Sequence, residues 1–474
     1  MARAGLGLTI GYGISVAGGV FSLIAYAHTL GPNTYGKLAV YLALVEAFQG
    51  IVFQWHRLAF VRYWTASSAE DRDNYLATSH IVWLVLAIAA LSVMTFALLF
   101  ANDSRQEWLA VAVLALTKSA ALYTQEIARA ASAVGRYALA SLLLNVGATA
   151  AGLLTWSGTR SMTQTLYATA AVFALQTILC GIDKVSVVRS ARFSADLLCR
   201  MVQYGLPLVP VFTATTVMTR LDRPILALFE NPAVVGVYAA SSGLVSNAVS
   251  AICLLVVTPC YPWLLREQAS RTAVDHRTLH ARLGLLMMTG VFTLCLALLL
   301  IRKYALPLTL GRSIGDAAQP LVLPLLAVAT IAAFRTHFFD QAYHLHARTK
   351  ALMGINLLML LVGTLATYLG ARVGGCEGVV YGLLVANALS LCTSAAFSRR
   401  FVDLNRITIG ITVLSAFAAL SFLFGSVARH LLVHIVNDET WATCLTAVIA
   451  CALFIALCAI GNVGSVREVL KGKL

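Results

Sequence analysis

The stretch Leu109-Ala-Val-Ala-Val-Leu-Ala-Leu-Thr-Lys118 has a near copy further along the chain, Leu326-Ala-Val-Ala-Thr-Ile-Ala-Ala-Phe-Arg335. Each sets a cation near the middle of a long apolar segment. A cation left unneutralised at the centre of a bilayer costs at least ~2.5–3.5 kcal/mol, so it turns toward protein or a wet cavity. Two of them in matching contexts predict a duplicated membrane protein with a cationic cavity between its halves.

Composition agrees with that reading. The 474 residues are 59% hydrophobic and 11% charged, against about 25% charged in soluble proteins, which predicts an all-α polytopic membrane protein. Fourteen apolar stretches stand out, at 7–30, 35–58, 77–101, 108–133, 137–157, 163–183, 201–229, 234–264, 282–301, 320–347, 351–371, 377–398, 408–430 and 440–462. Each reaches the ~20 residues that cross ~30 Å of hydrocarbon. With both termini in the cytoplasm, the loops and tails on that side hold 22 Lys and Arg and the outer side 8, as the positive-inside bias requires. Lys118, Arg220, Arg223 and Arg335 remain inside spans. Much of the net charge of +14 is therefore topogenic, and no basic patch with interleaved aromatics suggests nucleic acid. The stretch from Lys184 to Arg192 is expected along an anionic lipid surface.

Several features have plainer readings. Arg3 and the run ending Ala25-Tyr26-Ala27 imitate a signal peptide, but the run from Leu6 exceeds an h-region of about 7–15 residues, so retention as a span is expected. Cys444, Cys451 and Cys458 share a helix face without His or carboxylate, so they read as packing residues rather than metal ligands, and no disulfide is expected. Gly374, Gly378 and Gly382 form a small-xxx-small series for close helix approach. Nine of the ten prolines fall between 207 and 324, where they predict kinks in the seventh and eighth spans. No loop is long enough for a soluble domain and no G-x-x-x-x-G-K stretch is present, so no ATP hydrolysis, no enzymatic activity and no cofactor are expected.

The repeat extends beyond the two cations. Gly31-Pro32-Asn33-Thr34-Tyr35-Gly36 after the first span matches Asn231-Pro232-Ala233-Val234-Val235-Gly236 after the seventh, and Asn145 matches Asn356 loosely. An even number of spans per copy implies a parallel repeat about an axis along the membrane normal. The expected organisation is a six-helix lobe at 1–183, a cytoplasmic linker at 184–200, a second six-helix lobe at 201–398, and two additional helices with a short tail at 399–474.

Leu30-Gly-Pro-Asn-Thr-Tyr-Gly36, the span ending Val61-Arg62-Tyr63, Tyr204-Gly-Leu-Pro-Leu-Val-Pro210 through Leu221-Asp222-Arg223 to Val235-Gly236-Val237-Tyr238, and Gly378-Val-Val-Tyr-Gly382 occur in that order. Together with the span count they resemble polysaccharide-type (Wzx-like) flippases of the multidrug/oligosaccharidyl-lipid/polysaccharide exporter superfamily. Phe53-Gln54-Trp55-His56-Arg57-Leu58 departs from that pattern, being bulkier and carrying an extra cation. The resemblance implies alternating-access transfer of an undecaprenyl-diphosphate-linked oligosaccharide across a bacterial cytoplasmic (inner) membrane. The cargo would be an O-antigen (lipopolysaccharide), capsule or exopolysaccharide repeat unit, with a polysaccharide polymerase and export machinery as partners. A cation-coupled drug antiporter of the same superfamily, which would favour acidic cavity residues, is the alternative. A membrane oligosaccharide polymerase or ligase is disfavoured by the short outer loops.

An anionic diphosphate suits the candidate residues, because arginine forks bind phosphate oxygens bidentately and lysine binds them as a point charge. Substrate contact is expected from Lys118, Arg335, Arg220, Arg223, Arg62 and Gln125, the last on the face of Lys118. Each has a structural alternative. Lys118 can pair with Glu46 or Glu126 on another helix. Arg220 or Arg223 can pair with Asp222 or snorkel outward, and Arg57 and Arg62 can be ordinary cytoplasmic anchors. His337, Asp340 and His344, spaced along one helix face, are candidates for a coupling proton or for a polar face at the cytoplasmic end of the span.

Overall fold

The computed structural model describes residues 2–66, 71–99, 105–190, 193–268, 273–346, 348–436 and 438–467, and within them it is helical, with no strand. Arg192 of the expected lipid-surface stretch lies outside the described residues. Ten segments are long and apolar enough to cross a membrane, and the chain is a multi-pass membrane protein. Side chains such as Leu361, Val385 and Phe397 are exposed, which is stable only where lipid rather than water meets them.

Two of the ten segments, of 52 and 49 residues, would each be more than ~70 Å long as single helices, over twice the hydrocarbon thickness. Both are broken. Gly31 takes φ 72° and ψ 170°, a left-handed region that glycine enters without a Cβ clash, and Pro32 follows without an N–H to continue the ladder. Gly374 and Gly375 break the second, the latter at φ 53°.

The chain divides into two compact units, Met1–Gly236 and Val237–Leu474. The first is built from α1 (Ala2–Phe48), α2 (Gln54–Ala66), α3 (Arg72–Leu99), α4 (Arg105–Ala130), α5 (Val134–Leu142), α6 (Ala148–Thr159), α7 (Met162–Ser190), α8 (Ala195–Gly205), α9 (Val209–Arg220) and α10 (Asp222–Leu226). Two π-helical turns, Gln49–Phe53 and Leu143–Gly147, join α1 to α2 and α5 to α6. The seventh expected span is thus not one helix. It passes from α8 through a 3-10 turn at Leu206–Leu208 to α9 and α10, and Pro207, Pro210 and Pro224 each withhold a backbone donor along it. The fourth expected span corresponds to α4, which is not among the ten segments.

Inside the first unit, α4 packs along α7 and α1 against α5. Phe60, Tyr75 and Tyr123 form a buried aromatic core. The Tyr75 hydroxyl lies within reach of the Ala59 and Phe60 carbonyls, at 3.0 and 2.9 Å, which satisfies a polar tip inside an apolar cluster. The two proline–glycine segments matched in the sequence also touch. A Cβ on Gly36 would stand 1.7 Å from the Pro232 carbonyl oxygen, and one on Gly236 would stand 2.0 Å from the Pro32 carbonyl oxygen. The contact is reciprocal between equivalent positions, and only glycine permits it.

α11 (Pro232–Gln268) begins at the end of the first unit. The second unit continues with α12 (Ala273–Leu310), α13 (Arg312–Ala318), α14 (Val322–Phe334), a π-helical turn at Arg335–Phe339, α15 (Asp340–Leu345), α16 (Thr349–Ser398), α17 (Leu404–Val436) and α18 (Glu439–Ile460). α12 is its spine, touching α13, α14, α17 and α18. Glu439 at the head of α18 accepts from Lys303 on α12 at 3.1 Å and from Arg429 on α17 at 2.6 Å, tying three helix ends together. Of the expected glycine series, Gly378 and Gly382 make close approaches within α16, whereas Gly374 has nothing within 4 Å of where a Cβ would stand and lies in the break. Across the break, Gly370 and Gly378 approach so closely that a Cβ on either would lie 2.0–2.1 Å from the other's carbonyl oxygen, and one on Gly382 would lie 2.4 Å from that of Ala366.

Candidate functional site

Charged side chains collect inside each unit, and the two collections are built differently. In the first unit, Lys118 lies 13 residues from the start of α4 and 12 from its end, about 18–20 Å from either. Its side chain is 16% exposed, and its Nζ meets the Glu46 carboxylate on α1. Arg220 and Arg57 also act on Glu46 electrostatically. One turn past Glu46, Gln49 in the π turn donates to the Ala115 carbonyl at 2.6 Å, a second tie to α4 beside the ion pair. Arg57 on α2 reaches Glu126 at 3.3 Å, and Arg129 reaches the other oxygen of the same carboxylate at 2.7 Å. Arg57 Nε is buried without a hydrogen-bond partner. Four cations, Lys118, Arg220, Arg57 and Arg129, therefore stand around two carboxylates, an arrangement that keeps an excess of positive charge.

The remaining first-unit candidates have other surroundings. Gln125 donates to Ser141 Oγ at 2.9 Å, linking α4 to α5. The Arg62 guanidinium lies 4.3 Å from the centre of the Tyr204 ring, a cation–π contact joining α2 to α8. Asp222 accepts from the Arg223 backbone N–H at 2.9 Å and so opens α10 after the break at Leu221, while Arg223 acts electrostatically on the buried Tyr35.

In the second unit, Arg335 begins the π turn and is 12% exposed. It donates to the Asn356 side chain on α16 and lies 3.5 Å from Asp340, itself 15% exposed, at the start of α15. Arg335 Nε and Asp340 Oδ1 are both buried without hydrogen-bond partners. The three residues expected on one helix face diverge, because the π turn adds a residue to the local turn. Asp340 meets Arg335, His337 lines a cavity of about 30 Å³, and His344 is exposed. Among the described residues no cluster of three or more His, Cys, Asp or Glu has the geometry to hold a metal ion.

Two elements of this picture leave little trace in the sequence. Gln49 gives no signal, since a glutamine in an apolar run says nothing about its partner. His280, which lines the cavity beside His337, has an equivalent in His80 at the offset of 200 that relates Gly36 to Gly236. His80 lies against the Tyr123 ring at 5.3 Å and His280 against the Phe338 ring at 4.5 Å.

No family model matches the chain, and no curated protein matches it in sequence. Solved structures do match in fold. The chain superposes on the lipid II flippase MurJ in an inward closed conformation with a TM-score of 0.69 at 12% identity, over 98% of this chain and 99% of that one. It superposes on the MATE multidrug transporter DinF-BH with a TM-score of 0.55 at 15% identity, over 84% and 94%. An inward-facing multidrug resistance MATE transporter of the MOP superfamily gives 0.53 at 14% identity, over 84% and 97%. At these identities the likeness is one of fold.

Proposed function

We propose that the protein is a flippase for polyprenyl-diphosphate-linked oligosaccharide of the undecaprenyl type, moving a polysaccharide repeat unit from the inner to the outer leaflet of a bacterial cytoplasmic membrane by alternating access. The observation that carries this reading is the first-unit cluster, in which four cations surround two carboxylates. A site already neutralised would offer a diphosphate nothing, whereas a surplus of fork and point-charge donors offers charge-assisted hydrogen bonds. Similarity in fold to a lipid II flippase along nearly the whole chain supports the same cargo class. The MATE structures cover less of the chain, by about the length of the segment 399–474. A drug-cation antiporter is less well supported, because Glu46, Glu126 and Asp340 are each engaged by a cation.

In this reading Lys118, Arg220 and Arg57 meet the diphosphate, and Glu46 holds Lys118 in place when the site is empty. Arg62, Arg223, Gln125 and Arg335 line the route. Fourteen crossings follow if each over-long segment counts twice and α4 and the α8–α10 series each cross once, which returns both termini to the cytoplasm and leaves lobes at 1–183 and 201–398. The test is flipping of a fluorescent polyprenyl-diphosphate saccharide in proteoliposomes. Lys118→Ala combined with Glu46→Ala removes the pair together and leaves the net charge of the cluster unchanged, and it should lower the rate by at least tenfold, about 1.4 kcal/mol of lost phosphate contact. Wild-type rates in that variant at equal protein level would sink the reading.

A further inference from the structure

The stretch Phe53-Gln54-Trp55-His56-Arg57-Leu58, which departs from the family pattern in sequence, stands at the head of α2. Three consecutive residues there turn to three different helices. Trp55 is buried against α8, where a Cβ on Gly205 would run into its ring. His56, fully buried, sets its Nε2 against Ser79 on α3, 3.1 Å from the carbonyl oxygen and 3.0 Å from Oγ. Arg57 reaches Glu126 on α4 at 3.3 Å. Successive residues of a helix are about 100° apart, so three such contacts hold α2 at one rotation about its axis. The constraint falls where it is needed, because the π turn Gln49–Phe53 runs straight into α2 at Gln54. A π turn absorbs one extra residue, and its loss would turn everything after it by about 100°.

The His56 contact has a defined polarity. A carbonyl oxygen only accepts, so Nε2 carries the proton and Nδ1 is a bare lone pair. Nδ1 is indeed the nitrogen buried without a partner. By the same reasoning His80 Nδ1 donates to the Leu76 carbonyl at 2.7 Å, and the Tyr123 hydroxyl gives its proton to Ser79 Oγ at 2.9 Å. Ser79 therefore receives from α2 and from α4, and three helices meet at one residue. Beside it, Arg57 gives a terminal nitrogen to Glu126 while its Nε stays buried without a partner, a donor whose desolvation is not yet compensated. We propose that His56 is a positioning residue: its Nε2–H bond to Ser79 sets the rotation of α2, so that Arg57 lies in the cation cluster with Nε–H open to a diphosphate oxygen. His56 itself touches no substrate. The role deepens the flippase reading and rests on it for the identity of the anion.

The experiment is solid-state NMR on the full chain in phosphatidylethanolamine–phosphatidylglycerol vesicles, with isotope labels on arginine nitrogens and glutamate carboxyl carbons. The Arg57–Glu126 dipolar contact is assigned by its loss in Arg57→Lys. It should persist in His56→Gln, whose amide nitrogen falls where Nε2 was, and vanish in His56→Phe, which keeps the bulk and removes the donor. His56→Asn, too short to reach Ser79, should behave like His56→Phe and replaces it if that variant does not fold. Flipping of the fluorescent polyprenyl-diphosphate saccharide is followed in the same vesicles. His56→Phe should flip roughly tenfold more slowly, the worth of one charged hydrogen bond, and His56→Gln near the wild-type rate. In a protein already carrying Arg57→Gln, His56→Phe should cost nothing further, because both changes remove the same contact. A merely structural histidine would slow flipping by the same factor in either background. An intact Arg57–Glu126 contact in His56→Phe, or equal factors in the two backgrounds, overturns the positioning role. Loss of that contact in His56→Phe, when even the wild type does not flip the saccharide, rejects the flippase reading alone.

Discussion

Lys118 and Arg335 occupy equivalent places in two copies of one sequence pattern, yet each unit neutralises its cation by a different route. Lys118 on α4 reaches Glu46 on α1, so its ion pair ties two helices together, and Arg220 and Arg57 act on the same carboxylate electrostatically. Arg335 turns to Asp340 five residues further along its own helical stretch and takes a neutral amide, Asn356, from α16. The first arrangement is a structural tie that also gathers positive charge. The second leaves Arg335 Nε and Asp340 Oδ1 without partners and can change state without separating helices. The two copies of the pattern carry one cation each, a lysine and an arginine, and they differ in where the neutralising acid comes from.

The largest expected effect separates the two directly. Glu46→Gln leaves Lys118 without its carboxylate, and because Glu46 is 32% exposed the loss should fall near the lower end of the about 3–5 kcal/mol that breaking a buried pair from one side costs. Asp340→Asn leaves Arg335 with Asn356 and should cost about 1–2 kcal/mol, near the worth of one charged hydrogen bond. Thermal unfolding of both variants in one detergent measures the difference. Equal losses would erase the distinction drawn between the units. A double-mutant cycle sharpens it: Glu46→Gln with Lys118→Gln should recover part of the loss, with a coupling within about 0.5–3 kcal/mol.

Next in size is the glycine contact, where the copies should behave alike because the contact is reciprocal. Gly36→Ala and Gly236→Ala each drive a methyl into a carbonyl oxygen, at 1.7 and 2.0 Å. Overpacking of this kind costs about 1–3 kcal/mol, and the backbones must part to relieve it. Spin labels on the exposed Asn33 and Asn231 should report a longer distance in either variant. A shift in only one of the two would show that the matched turns are not equivalent in the fold.

How far these features are legible varies with their physics. Crossing a membrane is a matter of local composition, so the apolar stretches can be marked from the sequence. The glycine breaks at Gly31 and Gly374 also fall between the expected spans, since a left-handed φ or a Pro–Gly turn has a residue signature. The path of α8 to α10 is less visible, because three prolines announce bending without saying where the ladder resumes. The partner of Lys118 is legible only as a choice between Glu46 and Glu126, which lie far apart from each other in sequence. Periodicity places each on a helix face but does not say which helices adjoin. The π turn at Arg335–Phe339 leaves no mark at all, and with it goes the shared face expected for His337, Asp340 and His344. The extra residue per turn accompanies a packed aromatic cluster, in which Phe334 stacks on Phe338 and both meet Phe339 edge-on.

The smallest effect asks whether cations outside the two clusters matter. Arg62 stacks on Tyr204, and an exposed cation–π pair is worth about 0.5–1 kcal/mol. If Arg62 only anchors α2 to α8, Arg62→Lys should keep most of that stability, since an ammonium also sits well over a ring. Flipping of the polyprenyl-diphosphate probe should then stay within about threefold of wild type, the factor that ~0.65 kcal/mol gives at roughly 1.4 kcal/mol per tenfold. A loss well beyond that, with stability intact, would mean that the guanidinium fork is used on phosphate. The region of surplus charge would then reach past Arg57 along α2, and the first unit would differ from the second more deeply than their ion pairs alone suggest.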